Sequence, residues 1–170
     1  MDWSPFRVAA AGAPVARARG LNGPDGLGDR LRTAAFAEKQ AAAAFHWAVK
    51  NLGDAGEDLR ASWARFAAEE EKHYGWIMTR MTALNIDPAA REVSDSLWRS
   101  LCAAETAGQF CALMVAAEDR GRQAERAFVS LLAGRDPESA EIFRRIADEE
   151  DEHIARQTTG RAGDCGPSNP

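Results

Sequence analysis

Hydrophobic residues along the chain recur at steps of three and four, the spacing of one buried face of an α-helix. The first helix predicted by this pattern starts near Asp29 and stops at Asn51. Asp54 and Glu57 have the spacing of a capping box, which predicts that a second helix opens there and ends before Asp87. We expect these two helices to form an antiparallel hairpin.

The second half of the chain repeats this plan after a connector over residues 87–104, with a short helical turn predicted from Ser94 to Leu101. The spacing leaves two starts open for the third helix, at Ser94 or near Ala104, and ends it at Gly134. Asp136, followed by proline, is typical of an N-cap with proline at the first helical position, so the fourth helix starts there. The sequence therefore predicts an all-α fold of two antiparallel hairpins joined by a long crossover.

We divide the chain into an N-terminal arm over residues 1–28, a helical bundle over 29–159 and a disordered tail over 160–170. The arm contains clusters of Pro and Gly and no sustained periodicity. Its arginines make a mildly basic patch, and the favoured interpretation is an arm that packs on the bundle with its charges in solvent. These arginines are Arg7, Arg17 and Arg19.

Composition and charge favour an ordinary one-domain protein of the cytoplasm. The chain has 170 residues, of which 45% are hydrophobic and 28% charged. Its net charge of −5 attracts neither nucleic acid nor an anionic membrane. No apolar run approaches the ~20 residues of a membrane span, and the N-terminus lacks the features of a secretory signal. Cys102, Cys111 and Cys165 contain no Cys-x-x-Cys pair, which argues against a disulfide framework and a rubredoxin-type iron site.

Four glutamates occupy the predicted hydrophobic faces, where an ionised carboxylate is costly. Each half of the chain contains one lone glutamate and, 32 residues later, a Glu-x-x-His motif (70 − 38 and 150 − 118). The two halves are offset by 80 residues (118 − 38). The six residues of this repeated pattern are Glu38, Glu70, His73, Glu118, Glu150 and His153.

Hairpin geometry places the four glutamates at one height. The first predicted turn centres near Asp54, which is 16 residues from both Glu38 and Glu70 (54 − 38 and 70 − 54). The second turn, near Gly134, is equally spaced between the other two glutamates. At a rise of about 1.5 Å per residue, each glutamate lies about 24 Å from its turn.

Four carboxylates in a core repel one another, and each is costly unless it is paired or bound to a metal. Two divalent cations would remove that cost. In Glu-x-x-His both side chains lie on one helix face, less than one turn apart, so they can bind a common centre. Mixed carboxylate and imidazole ligands suit iron or manganese better than structural zinc. We therefore expect a dinuclear site with two Fe ions, or with Mn or a mixed Fe/Mn pair.

Other candidates have weaker patterns. Glu125 lies on nearly the same face as Glu118 and is expected to be either a proton carrier beside the ligands or a carboxylate at the rim. His46 is favoured as a satisfied rim or core histidine over a residue at the site edge, and Tyr74 faces about 100° away from the site. The acidic neighbours of the ligands are expected to form a solvated face: Glu69, Glu71, Glu149, Asp151 and Glu152.

The doubled Glu…Glu-x-x-His pattern, over about residues 29–157, resembles the ferritin-like di-iron carboxylate superfamily. Within it, EEEKHYGWIMTRMTALNI and AAEDRGRQAERAFVSLLAGRDPESAEIFRRIADEEDEHI resemble an uncharacterised bacterial ferritin-like family, distantly similar to the tRNA-hydroxylating monooxygenases. The resemblance implies a ferritin-like four-helix bundle in which Glu70 and Glu150 bridge two metals, Glu38 and Glu118 each cap one, and each histidine supplies a nitrogen. It also implies dioxygen or peroxide chemistry.

Three functions stay open, and an oxidase or oxygenase is favoured. It would use dioxygen or peroxide, an external electron donor and a small-molecule substrate, for which Ala112, Ala117 and Gly121 would leave room. The alternatives are a ferroxidase or iron-handling protein without an organic substrate, and a non-catalytic interaction module that metals make rigid. A homodimer is compatible with the sequence, whereas a membrane partner is not expected and the net charge does not favour nucleic acid.

Overall fold

The computed structural model describes the backbone of residues 1–21 and 23–164, and the side chains of these residues except at position 24 and from position 152 onward. Most of the described chain is helical, which agrees with the all-α prediction. In chain order the elements are β1 (Arg7–Val8), α1 (Pro24–Asn51), α2 (Glu57–Ala83), β2 (Glu92–Val93), α3 (Ser96–Leu101), α4 (Ala107–Leu132) and α5 (Pro137–Asp164).

The four long helices pack as two pairs, α1 with α2 and α4 with α5, and the pairs meet where α2 contacts α5. Short loops join the partners of each pair, which therefore run in opposite directions. The connector between the pairs contains β2, which pairs in parallel with β1, and α3, which packs on α1. Helix α3 confirms the predicted turn in this connector. Helix α4 begins at Ala107, later than either predicted start.

Two hydrophobic clusters fill the interior, one towards each end of the paired helices. On α2, Phe66 of the first cluster precedes Glu70 and His73, and Ile77 of the second cluster follows them. The buried polar residues thus form a layer between two apolar regions. The large side chains of the first cluster include Phe45, Trp63, Phe66, Phe110 and Met114, and those of the second include Phe6, Leu31, Phe36, Ile77, Met81, Phe143 and Ile146.

The N-terminal arm packs on the helices, as the sequence predicts. The rings of Trp3 and Phe6 contact Phe36 with centroid distances of 5.3 and 5.0 Å. Arg19 of the arm is exposed, as expected for a charge in solvent, but it is also paired. Arg19 donates hydrogen bonds from Nε and Nη2 to the buried carboxylate of Asp29, at 2.9 and 2.8 Å. Arg19 therefore holds the arm against the start of α1.

Helix α1 begins at Pro24 rather than at the predicted Asp29. A glycine in the first turn explains the error. A Cβ at Gly26 would come within 2.2 Å of the carbonyl oxygen of Gly20, so the arm passes too close for any larger residue. Gly26 therefore lies inside the helix and allows the close approach of the arm, whereas a segment rich in glycine and proline favours a loop when only the sequence is considered.

The predicted capping box of Asp54 and Glu57 is wrong. Helix α2 begins at Glu57, and no side chain caps its N-terminus. The two carboxylate oxygens of Asp54 instead accept hydrogen bonds from the backbone N–H of Ala107, at 3.1 and 2.9 Å, and so help to cap α4, whose N-cap residue is Thr106. The predicted N-cap at Asp136 is confirmed, because its Oδ1 accepts a hydrogen bond from the Ser139 N–H at 3.2 Å.

Helix α5 extends to Asp164, past residue 159, where the bundle was expected to end. The rest of the predicted tail, residues 165–170, including Cys165, lies outside the described residues. Across the described chain, no helix combines the length and the apolar character that crossing a membrane requires.

Candidate metal centre

Acidic and imidazole groups from three helices converge in the polar layer. Each of Glu38 on α1, Glu70 and His73 on α2, and Glu150 on α5 offers a ligand atom, and these atoms all lie within 4.8 Å of one another. All four residues are buried. The three-residue spacing puts Glu70 and His73 on one face of α2, which is why both reach the same point. We refer to these four residues as the Glu–His cluster.

A cavity of about 60 Å³ beside the Glu–His cluster brings α4 into the site. Glu118 and Glu125 line it together with the three glutamates of the cluster. Their side chains are almost fully buried, with 7% and 6% of the residue exposed. Room for this cavity comes from small residues that line it on α1 and α4, namely Ala37, Ala41, Ala117 and Gly121.

The structure therefore brings together five of the six residues singled out in the sequence, four in the Glu–His cluster and Glu118 at the adjoining cavity. The sixth, His153, lies in α5 less than one turn after Glu150, but its side chain is outside the described residues. The equal height expected for the four glutamates is consistent with their sharing one small cavity.

Burial, and after it the mutual repulsion of the carboxylates, determines the electrostatics of the cluster. Burial raises the pKa of Glu70 well above that of an ordinary glutamate, and the negative charges of Glu150 and Glu38 raise it further. Burial likewise raises the pKa of Glu150, with added contributions from Glu38 and Glu118. Among the described residues that line the adjoining cavity there is no lysine or arginine to offset these charges. Either protonation of these carboxylates or a bound cation would relieve the repulsion.

His73 connects the cluster to a carboxylate that the sequence analysis assigned to a solvated face. Its Nε2 lies 2.7 Å from Oε2 of Glu149 on α5, while its Nδ1 is 3.8 Å from Oε2 of Glu38. Burial alone would lower the pKa of His73, but hydrogen bonds and charges from Glu38 and Glu149 raise it overall. The solvated assignment of Glu149 is therefore wrong, because its partners lie on a different helix.

Glu125 is buried rather than placed at the rim. Its Oε2 has no hydrogen-bond partner among the described side chains and backbone groups. Burial, followed by the negative charge of Glu38, raises the pKa of Glu125 to about 9. The side chain is therefore a neutral acid near pH 7 in the absence of a bound cation, and it can give or take a proton beside the cluster.

Two further candidates lie away from the cluster. His46 is exposed, and its Nε2 pairs with Oε1 of Glu71 at 3.0 Å, as expected for a satisfied rim histidine. Tyr74 packs against Phe6, with ring centroids 6.3 Å apart. Both residues line a separate cavity of about 650 Å³.

The donor set fits a bound metal. Buried carboxylates with an imidazole are ligands that divalent iron and manganese accept. Oε2 of Glu150 is buried and, within the described chain, has no hydrogen-bond partner, so one strong acceptor is available in the layer. The Nε2 contact of His73 with a carboxylate matches the usual support of a metal-binding histidine.

Fold and site together define a mostly helical protein with a buried glutamate–histidine group that could hold a metal ion. Residues 8–159 match the family model described as "Protein of unknown function (DUF455)", and the chain belongs to that family. Comparison with curated proteins and with solved structures gave no match.

Proposed function

We propose that this chain is a ferritin-like four-helix bundle that holds two iron ions, with manganese or a mixed pair as alternatives, and acts as an oxidase or oxygenase. The observation that carries the proposal is the Glu–His cluster, in which ligand atoms from three helices lie within 4.8 Å of one another. The matching of the two halves in sequence supports two metals rather than one.

Six residues would hold the metals: Glu38, Glu70, His73, Glu118, Glu150 and His153. When bound, such a pair supplies electrons to dioxygen or peroxide, and an external donor restores them.

The surrounding residues would prepare this site in three ways. The hydrophobic clusters on either side of the polar layer exclude bulk water. Glu149 orients the ring of His73, and Lys72, whose Nζ lies 2.6 Å from Oε2 of Glu149, favours the ionised form of that carboxylate. Glu125 holds a proton next to the cluster and can pass it to a bound molecule.

An organic substrate is favoured over iron handling by the space beside the cluster. A second, larger cavity of about 380 Å³ shares Glu38, Gly121 and Glu125 with the small one. A site that only oxidises iron needs no apolar cavity of that volume, whereas a small molecule does.

Metal content and oxygen uptake test the proposal. Protein purified without added metal should contain about two iron or manganese ions per chain, and the ferrous protein should consume oxygen. Glu118→Ala should lose both properties, whereas Glu105→Ala, at an exposed position of the connector, should keep them. Folded wild-type protein that takes up no metal would refute the site. Metal binding without oxygen uptake would favour the non-catalytic module, and many iron ions oxidised per chain would favour iron handling.

A further inference from the structure

A cavity of about 380 Å³ lies between α1 and α4, beside the Glu–His cluster. These two helices belong to different pairs, and their backbones approach each other closely at few places. Its walls are mainly small or apolar side chains, including Ala34, Ala37, Ala124 and Phe128. Volume and lining are those of a site for a small organic molecule. We call it the α1–α4 cavity.

The inner end of the α1–α4 cavity reaches the Glu–His cluster. Glu38, Gly121 and Glu125 line both this cavity and the small one. Gly121 leaves the passage open, because a Cβ there would meet only Oε1 of Glu125, at 4.0 Å. Glu125 is 6% exposed, and its Oε2 has no hydrogen-bond partner in the described chain. A buried polar atom in this state is expected to meet ordered water at the inner end of the cavity.

The outer end of the α1–α4 cavity carries a cation. Arg30 lines the cavity, and its Nη1 donates hydrogen bonds to the backbone carbonyls of Arg19 and Gly26. No carboxylate of the described residues forms an ion pair with Arg30, although most arginines nearby have one. Its guanidinium carbon lies 6.0 Å from the centroid of Phe128, so the charge stands beside an apolar wall. Arg30 precedes Glu38 by eight residues (38 − 30), which is about 12 Å along α1.

We propose that the α1–α4 cavity binds a small apolar monocarboxylate, with its carboxylate on Arg30 and its apolar end beside Glu125 and the cluster. Charge sets this direction: an anion at the inner end would face Glu38, whereas the outer end offers a guanidinium without an acidic partner in the described chain. The apolar walls suit an alkyl or aromatic body. That this molecule is the organic substrate of the oxidase rests on the function proposed above.

Calorimetric titration of the metal-loaded protein with octanoate, 1-octanol and octylamine tests the assignment. Octanoate should bind most tightly of the three. Arg30→Gln should weaken octanoate binding about tenfold or more, because a charge-assisted contact is lost, and should leave octanol binding unchanged. Arg144→Gln, an exposed arginine of α5 that pairs with Glu141 and Asp148, is the matched control and should bind octanoate like the wild type.

A second variant distinguishes the contribution of the cavity to binding from the contribution of the Arg30 charge. Ala34→Trp should fill the α1–α4 cavity and abolish binding of octanoate and octanol alike, whereas Ala64→Trp, at an exposed position of α2, should not. Equal octanoate affinity in the wild type and Arg30→Gln, or tighter binding of octylamine, would overturn the proposal.

Metal content measured on the same samples distinguishes the two proposals. Wild-type protein that holds its metals but shows no saturable octanoate binding overturns the cavity assignment and leaves the metal centre standing. Saturable octanoate binding that depends on Arg30, in a chain that takes up no metal, supports the cavity and refutes the oxidase.

Discussion

Nε2 of His73 donates a hydrogen bond of 2.7 Å to Oε2 of Glu149, across helices α2 and α5. Burial would raise the pKa of Glu149, but hydrogen bonds from Lys72 and His73 lower it overall, so this carboxylate stays ionised and can only accept. In a neutral ring the proton is then on Nε2, and the lone pair of Nδ1 faces Glu38 in the cluster. The pair therefore presents His73 to a metal in one orientation and one tautomer.

Glu149→Ala should weaken metal binding about 10- to 100-fold, because it removes the group that orients the ligand His73. Glu149→Gln, which keeps an acceptor but loses the charge, should weaken binding less. Competition with a chelator of known affinity measures both effects. Glu71→Ala is the matched control, since it removes an exposed glutamate–histidine pair outside the cluster and should bind metal normally. Unchanged affinity in Glu149→Ala would mean that the hydrogen bond does not support a ligand.

The contrast between Glu150 and Glu149 shows how far sequence reasoning reaches in this site. Helical spacing predicts which residues share a face, and it correctly assigned Glu150 to the buried layer with Glu70 and His73. Glu149 is one residue away and faces about 100° to the side, which on a single helix indicates solvent. Its true partner comes from α2, and the contact depends on how α2 and α5 pack, which the spacing within α5 does not contain.

The metal-free protein should lose stability as pH rises, and Glu125 provides the clearest test. Its pKa is about 9 in the folded protein, mainly through burial, and 4.5 for an ordinary glutamate. Between these values the folded protein keeps a proton that the unfolded chain releases, so the free energy of unfolding falls with rising pH. The loss begins above 4.5 and is complete above about 9.

Glu125→Gln should flatten this pH dependence and should melt higher than the wild type at about pH 8, because the amide carries no proton to lose. Thermal unfolding in the presence of a chelator, followed by circular dichroism across the pH range, measures it. Glu105→Gln, at an exposed position, should follow the wild-type curve. A wild type whose stability increased from weakly acidic to weakly basic pH would contradict the assignment.

Asp54 joins the loop of the first helix pair to the second pair. Its carboxylate caps α4 through the Ala107 N–H, so Asp54→Ala should reduce the free energy of unfolding by about 1 kcal/mol. Asp54→Asn keeps an acceptor and should lose clearly less. Urea unfolding of the three proteins gives the values. An Asp54→Ala variant that unfolds like the wild type would show that this contact does not stabilise α4.

Asp54 also illustrates which parts of the fold could not be predicted from the sequence. The hydrophobic spacing correctly predicts the helices, the turn near Leu101 and the cap at Asp136, because these depend on neighbours within a few residues. The start of α1, the pairing of β1 with β2 and the cap of α4 depend on residues far apart in the chain. Gly26 is such a case, because glycine is required there by the arm residue Gly20, which packs against it.

The offset of 80 residues that relates His73 to His153 (153 − 73) also relates Glu69 to Glu149 (149 − 69). In the repeat, His153 therefore corresponds to His73, and Glu69 corresponds to Glu149. Glu69 is half-buried on α2, and its Oε1 lies 3.8 Å from Nε of Arg65. The repeat predicts that Glu69 supports His153 as Glu149 supports His73.

Glu69→Ala should therefore weaken one of the two metal-binding steps about 10- to 100-fold, as Glu149→Ala weakens the other, because each histidine loses its orienting carboxylate. The double variant should weaken both steps, which a metal titration with two resolved steps would show. Arg65→Ala removes only the partly exposed ion pair with Glu69 and should leave both steps unchanged. Wild-type affinity at both steps in Glu69→Ala would show that the two halves, although alike in spacing, hold their histidines differently.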